Sequence, residues 1–392
     1  MFRHKHIQAS EHPLVKHRGI FHRELSLWQA VALIVSGTIG AGVLGIPYAV
    51  AKVGLIPGII YIIVLGLLMM GLNLLLADIT NYTTKNAQLT GLAEKYLGKK
   101  AKWLMTVLFY STLVGAQVIY LIGEGDALTA MLGGSPFLWS IVFFSVTTFI
   151  ILLGLKGIKT IEFVLMFCIL FVVLLIAGWA APYMSTESLG FINMSAILFP
   201  YGVILFAFHG TNAIPEARLL LKNKPKLFRK SVILAAAIVI ITYTLFACIV
   251  VSVTGVHTTE IATIGLGEKI GPIMILFGNI FAVLAMATSY LLIGLSMRDA
   301  LHWDFRVSKT LATTLTISVP LLIFLAGATH FIRVMDFVGG VFVSLEGILL
   351  LFIYLEVLKK MRLKVGRRLW FVILLFIVFS FGAIYSIAEL FL

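Results

Sequence analysis

Eleven apolar runs constrain this chain more than any other feature of its sequence. They lie at about residues 28–50, 54–77, 103–125, 137–155, 161–181, 195–220, 230–254, 270–297, 309–328, 331–357 and 369–391. A helix rises ~1.5 Å per residue and the hydrocarbon core of a bilayer is ~30 Å thick, so runs of this length are long enough to cross it. One soluble core could not bury a chain of 392 residues that is 60% hydrophobic and only 12% charged. The sequence therefore predicts an all-α, polytopic membrane protein with eleven transmembrane helices.

The basic residues predict how these helices are oriented. Of the 30 Lys and Arg residues, 27 lie in the N-terminal segment and in every second loop after it. Only Lys52, Lys269 and Arg333 lie on the other side. Because cytoplasmic loops carry the excess of Lys and Arg, we expect a cytoplasmic N-terminus and an external C-terminus. The membrane would be the plasma membrane, or the inner membrane of a bacterial cell. The net charge of +13 lies in short loops, so it does not predict a nucleic-acid partner.

The chain divides into a short tail and one membrane domain. Residues 1–24 are basic and carry five histidines, with no cysteine or paired acidic residue that would complete a metal site. We therefore expect a cytoplasmic tail there. Residues 25–392 form a single transmembrane domain, with one repeat at about 28–181, a second at about 195–357 and an extra helix at about 369–391.

The first apolar run contains a stretch that is poor material for a continuous helix. Between Ser36 and Pro47 it has four glycines and a proline within eleven positions. A break there would free backbone N–H and C=O groups, which must find partners in protein, water or a ligand. The freed amides can face an anion and the freed carbonyls a cation. The alternative is that the glycines only allow close helix packing.

The sixth run has a similar centre. Residues Phe206 to Pro215 include polar residues, a glycine and a following proline. The two runs are five spans apart, so they cross the membrane in opposite directions. Two interrupted helices at corresponding positions of inverted halves are typical of secondary transporters, with the site between the breaks.

These motifs resemble those of a known superfamily. Gly40-Ala41-Gly42 followed by Pro47 resembles the signature of the amino acid–polyamine–organocation superfamily. The Phe208-His209-Gly210 centre and the eleven-span plan are similar to its amino acid/auxin permease branch, close to bacterial aromatic amino acid permeases. The resemblance implies a five-plus-five inverted repeat of leucine-transporter type, with helices 1 and 6 broken. It also implies cation-coupled symport of a neutral L-amino acid, aromatic ones included, by alternating access.

The breaks supply the expected substrate site. No Lys or Arg lies in the middle of any span, so the N–H groups at the start of the outer half-helix would bind the substrate carboxylate. Carbonyls of the span-six break would accept from the ammonium, a threonine would add a hydroxyl and two phenylalanines would flank the side chain. The expected substrate-binding residues are Thr38, Gly40, Ala41, Gly42, Phe206, Phe208 and His209.

Span eight suggests the coupling ion. Residues at positions i, i+3 and i+4 share one helical face, and the freed carbonyls of span one would lie opposite them. About five neutral oxygens suit Na⁺, and in sodium-coupled proteins of this fold a small residue followed by Thr-Ser occupies the cation site. The expected ligands are Ser36, Ile39, Ala285, Thr288 and Ser289. The alternative is that the two hydroxyls of span eight bond back to carbonyls four residues earlier.

Proton coupling is the main alternative to sodium. An intramembrane carboxylate is a functional candidate, and an imidazole titrates near neutral pH. The candidates are Glu346, His209 and Glu124. A membrane amino acid sensor is a further alternative. The sequence lacks H-E-x-x-H, G-x-S-x-G and P-loop motifs, so it predicts neither an enzyme nor an ATP-driven pump. We expect a monomer whose partners are an amino acid and membrane lipid, with no cofactor besides the coupling ion.

Overall fold

The computed structural model describes residues 25–83, 87–153, 158–185, 190–222, 224–305, 307–362, 366 and 368–389. The predicted tail at residues 1–24 lies outside these ranges. Within them every regular element is helical, which confirms the all-α prediction.

The first half of the chain begins with the interrupted helix. The helices of this half include one short helix, α4 (Leu89–Leu97), between the second and third spans. The bounds are α1 Leu25–Thr38, α2 Gly42–Val53, α3 Leu55–Tyr82, α4 Leu89–Leu97, α5 Lys99–Leu132, α6 Pro136–Leu153 and α7 Ile158–Ala180.

The second half follows the same order and adds a final helix. Its tenth span contains a π-helical turn, Val338–Val343, which the sequence analysis did not predict. The bounds are α8 Pro200–Ala207, α9 Ala213–Leu220, α10 Pro225–Thr254, α11 Ala262–Ile270, α12 Pro272–Asp304, α13 Lys309–Leu325, α14 Phe331–Phe337, α15 Ser344–Lys360 and α16 Arg368–Glu389.

Helices occur at all eleven predicted positions, but their lengths support a smaller count of spans. Eight described helices are each long and apolar enough to cross a bilayer, and the pair α1–α2, bent by 58°, makes nine. Helix α13 has 17 residues, and α8 and α9 have 8 each, so none of the three spans ~30 Å of hydrocarbon alone. The predicted count of eleven is therefore not confirmed.

Prolines determine where several helices begin. Four helices start at a proline, namely α6 at Pro136, α8 at Pro200, α10 at Pro225 and α12 at Pro272. The first N–H of a helix has no intrahelical acceptor, so a residue without an N–H costs nothing there. These positions correct the predicted starts of spans four, six, seven and eight by between one and five residues.

One helix–glycine–helix unit occurs in both halves. Helices α4 and α11 have nine residues each and precede the long helices α5 and α12. Each ends at a glycine with positive φ, 91° at Gly98 and 128° at Gly271. The N–H of each glycine donates to the carbonyl four residues earlier. Only glycine adopts such a conformation without a Cβ clash. Two related halves would produce this recurrence.

Packing brings the two broken spans together at the centre of the molecule. Helix α2 packs against α8, while α1 and α3 pack against α10 and α5 packs along α12. The half-helices α2 and α8 approach closely at Gly42, where a Cβ atom would lie 2.5 Å from the Cα atom of Ala207. Glycine is therefore required at this position, because any side chain would push the two half-helices apart.

We predict that Gly42→Ala destabilises the protein by ~1–3 kcal/mol, the usual cost of overpacking a tight core. The measurement is the melting temperature of the purified protein in detergent. Gly178→Ala in α7 is the matched control, because its Cβ would meet no atom within 4 Å. Equal melting temperatures for the two variants would contradict the close contact between α2 and α8.

Candidate functional site

The break in span one leaves backbone donors at the start of α2. Helix α1 ends at Thr38, and the N–H of Ile39 still donates to the carbonyl of Val35 at 2.8 Å. The N–H groups of Gly40 and Ala41 have no backbone acceptor among the described residues. Gly42 is the first residue of α2, so its N–H has no acceptor within that helix. These amides point to an anion site at a helix N-terminus.

The break in span six consists of the five residues between α8 and α9. The N–H groups of Phe208 and His209 still donate back into α8, at 3.1 and 2.9 Å. At Gly210 the chain passes so close to Thr38 that a Cβ atom would overlap the threonine Oγ1. The two breaks therefore touch.

A tyrosine of α10 joins the carbonyl ends of the two broken helices. The hydroxyl of Tyr243 lies 3.2 Å from the carbonyl oxygen of Thr38 and 2.9 Å from that of Ala207. These are the last residues of α1 and α8. The sequence analysis missed Tyr243, although a buried tyrosine hydroxyl inside an apolar span usually has a hydrogen-bond partner.

A cavity of about 540 Å³ lies beside the breaks. Six of the seven expected substrate-binding residues line it, namely Thr38, Gly40, Ala41, Gly42, Phe206 and His209. The exception is Phe208, which is 4% exposed. Its ring instead packs against Tyr243, with a centroid distance of 5.0 Å. The position of Phe208 at the break predicts a place beside the substrate, but its ring faces α10.

A second tyrosine, which the sequence analysis also missed, faces the amides of span one. The hydroxyl of Tyr120 in α5 hydrogen-bonds with the side chain of Ser289 and with the backbone of Ala41. A Cβ atom on Gly40 would lie 2.6 Å from this hydroxyl. Tyr120 and Ser289 both line the cavity, so two hydroxyls and the amides of the span-one break share one wall.

The five expected Na⁺ ligands are only partly brought to the cavity. Ser36 and Ser289 line it, but Ile39, Ala285 and Thr288 do not. The Thr288 hydroxyl donates to carbonyl oxygens of its own helix at 2.8 and 3.1 Å. The Ser36 hydroxyl also donates to its own helix, at 3.3 Å. Both hydroxyls keep lone pairs for a cation, so the Na⁺ site stays a prediction.

Two of the three expected proton carriers belong to one buried cluster. The Nε2 atom of His209 lies 3.2 Å from Oε1 of Glu346. The hydroxyl of Thr211 lies 3.0 Å from the same Nε2 and donates to the same Oε1 at 2.6 Å. Thr211, which the sequence analysis missed, completes the cluster. The third candidate, Glu124, is fully buried in α5, and neither of its carboxylate oxygens has a partner in the described part of the chain.

The cavity extends from the breaks to one end of the molecule. There it is lined by Glu94 of α4 and Lys102 of α5, which pair at 2.8 Å and are 42% and 25% exposed. Glu216 and Arg218 of α9 also line the cavity. At the breaks themselves His209 is the ionisable side chain that lines the cavity, together with Tyr120. Fixed charges thus lie on α4, α5 and α9, outside the two breaks.

Comparison with known proteins identifies the family. Residues 23–392 match the family described as transmembrane amino acid transporter protein. The chain belongs to this family. It is a multi-pass membrane transporter, and its relatives are transporters rather than enzymes.

Among the relatives of this amino acid transporter are two bacterial proteins. Glutamine transporter 2 of Aliivibrio fischeri is 27% identical over 349 residues, covering 85% of this chain and 89% of the relative. Tyrosine-specific transport system 1 of Haemophilus influenzae is 27% identical over 344 residues, covering 79% of this chain and 83% of the relative.

Solved structures establish the fold. A crystal structure of MhsT in complex with L-phenylalanine matches with a TM-score of 0.67 and 14% identity, covering 95% of this chain and 99% of MhsT. A crystal structure of the Eremococcus coleocola manganese transporter, in complex with an aromatic bis-isothiourea substituted compound, matches with a TM-score of 0.66 and 14% identity. This match covers 96% of this chain and 90% of the manganese transporter chain. The predicted leucine-transporter-type fold is confirmed.

We predict that Tyr243→Phe costs ~1–3 kcal/mol of stability, because the carbonyls of Thr38 and Ala207 lose the hydroxyl proton that they share. It also lowers amino acid uptake, because α1 and α8 lose the bond that aligns their ends. The measurements are melting temperature and initial uptake rate in proteoliposomes.

The control for this variant is Tyr290→Phe. Tyr290 is buried in α12, where it hydrogen-bonds with Thr147 and packs against Phe143 away from the cavity lining. It should lose stability but retain uptake per folded molecule. Equal uptake by the two variants would show that the Tyr243 bonds do not align the site.

Proposed function

We propose that this chain is a secondary active transporter that moves a neutral L-amino acid together with a cation by alternating access. The observation that carries the proposal is that the amides of the span-one break and the carbonyl ends of α1 and α8 lie beside one cavity. The amides of Gly40, Ala41 and Gly42 would bind the substrate carboxylate, with the Tyr120 hydroxyl as a further donor. The carbonyl ends at Thr38 and Ala207 would accept from the ammonium.

The charge distribution supports a neutral substrate. The fixed charges that line the cavity, Glu94, Lys102, Glu216 and Arg218, lie on α4, α5 and α9 outside both breaks. A charged substrate side chain would therefore have no opposite charge within the breaks themselves. Burying an unpaired charge there would be costly. A cavity of about 540 Å³ has room for an aromatic side chain. The names of the relatives, a glutamine transporter and a tyrosine-specific system, support the same class.

Alternating access would move the two broken spans, with α3 and α10, against α5, α6, α12 and α13. With the N-terminus in the cytoplasm, the mouth beside α4 faces inward. The structure would then correspond to an inward-open state. The orientation and the plasma-membrane location remain part of this proposal, as does the monomeric state.

Sodium is the first candidate for the coupling ion. Ser36, Ile39, Ala285, Thr288 and Ser289 would surround it with neutral oxygens. Ser289 also contacts Tyr120, so a cation there would lie next to the proposed carboxylate site. This proximity would let cation and substrate stabilise each other, since opposite charges attract strongly away from bulk water.

The test of transport is uptake of a labelled neutral amino acid mixture into proteoliposomes, with an imposed Na⁺ gradient or, separately, an imposed pH gradient. We expect accumulation with the Na⁺ gradient, and counterflow of labelled substrate with no gradient. Binding without counterflow would instead favour a membrane amino acid sensor. Accumulation driven by the pH gradient alone would remove Na⁺ from the proposal.

We predict that Thr288→Ala with Ser289→Ala abolishes Na⁺ stimulation of uptake while leaving the protein folded. The measurement is the ratio of uptake with and without Na⁺. The matched control is Thr314→Ala with Ser318→Ala on α13. There the Ser318 hydroxyl donates to the backbone carbonyl of Thr314 at an exposed position. Unchanged Na⁺ stimulation in the span-eight variant would remove these residues from the cation site.

A further inference from the structure

The His209–Thr211–Glu346 cluster connects the substrate cavity with a carboxylate inside the protein. His209 lines the cavity. Glu346 is 1% exposed and does not line it. The imidazole therefore stands between the water of the cavity and the buried carboxylate. It also ties the span-six break to α15, because Thr211 and His209 both contact Oε1 of Glu346.

The hydrogen-bond geometry defines the protons of this cluster. The Thr211 hydroxyl has one proton, which it donates to Oε1 of Glu346. The Nε2 atom of His209 lies near two acceptor oxygens, Oε1 and the threonine Oγ1, so Nε2 carries a proton. The second carboxylate oxygen, Oε2, is buried and has no partner in the described part of the chain. It is an open position for one further proton.

In the described part of the chain, no charged group on the helices packed against α15 pairs with Glu346. In α3, Asp78 pairs with Arg229, and in α4, Glu94 pairs with Lys102. On α16, Glu389 interacts with Asp336 and Tyr385 rather than with Glu346. On α15 itself, Glu356 pairs with Lys360 at 3.8 Å. On α5, Tyr120 bonds to Ser289, and Glu124 has no hydrogen bond to the cluster.

Among the described residues, His209 is thus the only ionisable group that bonds to Glu346. No fixed cation neutralises this carboxylate there. The net charge of the cluster is therefore set by proton binding. With Glu346 ionised and His209 neutral, the cluster carries one negative charge, and one added proton makes it neutral.

We propose that this cluster binds a proton that is carried with the amino acid alongside the Na⁺ proposed above. The inference rests on the proposed transport function and deepens it. While the cavity is open, water at His209 solvates the negative cluster and delivers the proton. Closure around the substrate removes that water, and a buried net charge without a partner is strongly disfavoured. Occlusion therefore follows protonation, and the proton moves with the substrate.

The test uses Glu346→Gln, which keeps the size of the side chain but stays neutral. We expect substrate counterflow to persist, while accumulation driven by a pH gradient is lost. The pH dependence of counterflow should also flatten. The matched control is Glu356→Gln on the same helix, which lies in a surface pair and should behave like the wild type. Accumulation by Glu346→Gln at the wild-type level would overturn the proposal, as would loss of pH-driven accumulation only in Glu124→Gln.

A second measurement does not depend on transport. The melting temperature of the detergent-purified protein is recorded against pH for the wild type, Glu346→Gln, Glu356→Gln and His209→Gln. A proton-binding cluster makes the pH dependence of Glu346→Gln and His209→Gln weaker than that of the other two proteins. If the melting temperatures of all four proteins changed equally with pH, the proposal would be overturned, whether or not counterflow is observed. If the pH dependence differed as expected but counterflow were absent, only the transport function would be contradicted.

Discussion

Backbone polar groups that cannot be left unpaired in a membrane determine how the rest of this structure is arranged. Two helices stop in the middle of the protein, and each stop exposes N–H groups on one side and carbonyls on the other. Away from bulk water each unpaired group is costly. The protein meets part of this need itself, through the Tyr243 hydroxyl on the carbonyl ends and the Tyr120 hydroxyl near the amides. The rest is available to a zwitterion, whose two charged ends match the two kinds of free group.

Close contact between the breaks depends on residues without side chains. Gly42 lies against Ala207, and Gly210 lies against Thr38. A methyl group at either glycine would separate the half-helices and place the amides and the carbonyls too far apart to share one small ligand. The glycines that interrupt the helices are therefore the same residues that allow them to meet. The two interpretations of the glycine-rich stretch, a break and close packing, are both correct.

The sequence predicted features that depend on neighbouring residues. Glycine and proline act on the local backbone, so the breaks and six of the seven expected cavity residues could be located. The tyrosines and Thr211 could not, because their partners are far away in the chain. Tyr243 is 205 residues from Thr38, and Thr211 is 135 residues from Glu346. For the same reason the sequence could not show that the Phe208 ring packs against Tyr243, since only packing decides which side of a break a ring faces.

Span ten contacts α8 and the break that follows it, through its π-helical turn and the residues just after the turn. Within the turn, Gly339 lies directly against the Gly202 carbonyl of α8. Just after it, Ser344 bonds to Tyr201 of α8 at 2.9 Å, and Glu346 bonds to Thr211 ahead of α9. A π-turn contains an extra residue and is a common place for function or bending in a helix. If α9 moves relative to α8 during transport, the two contacts of span ten cannot both stay unchanged. The bond to Glu346 is the one that depends on a proton, so this is the contact through which protonation could control the movement of span six.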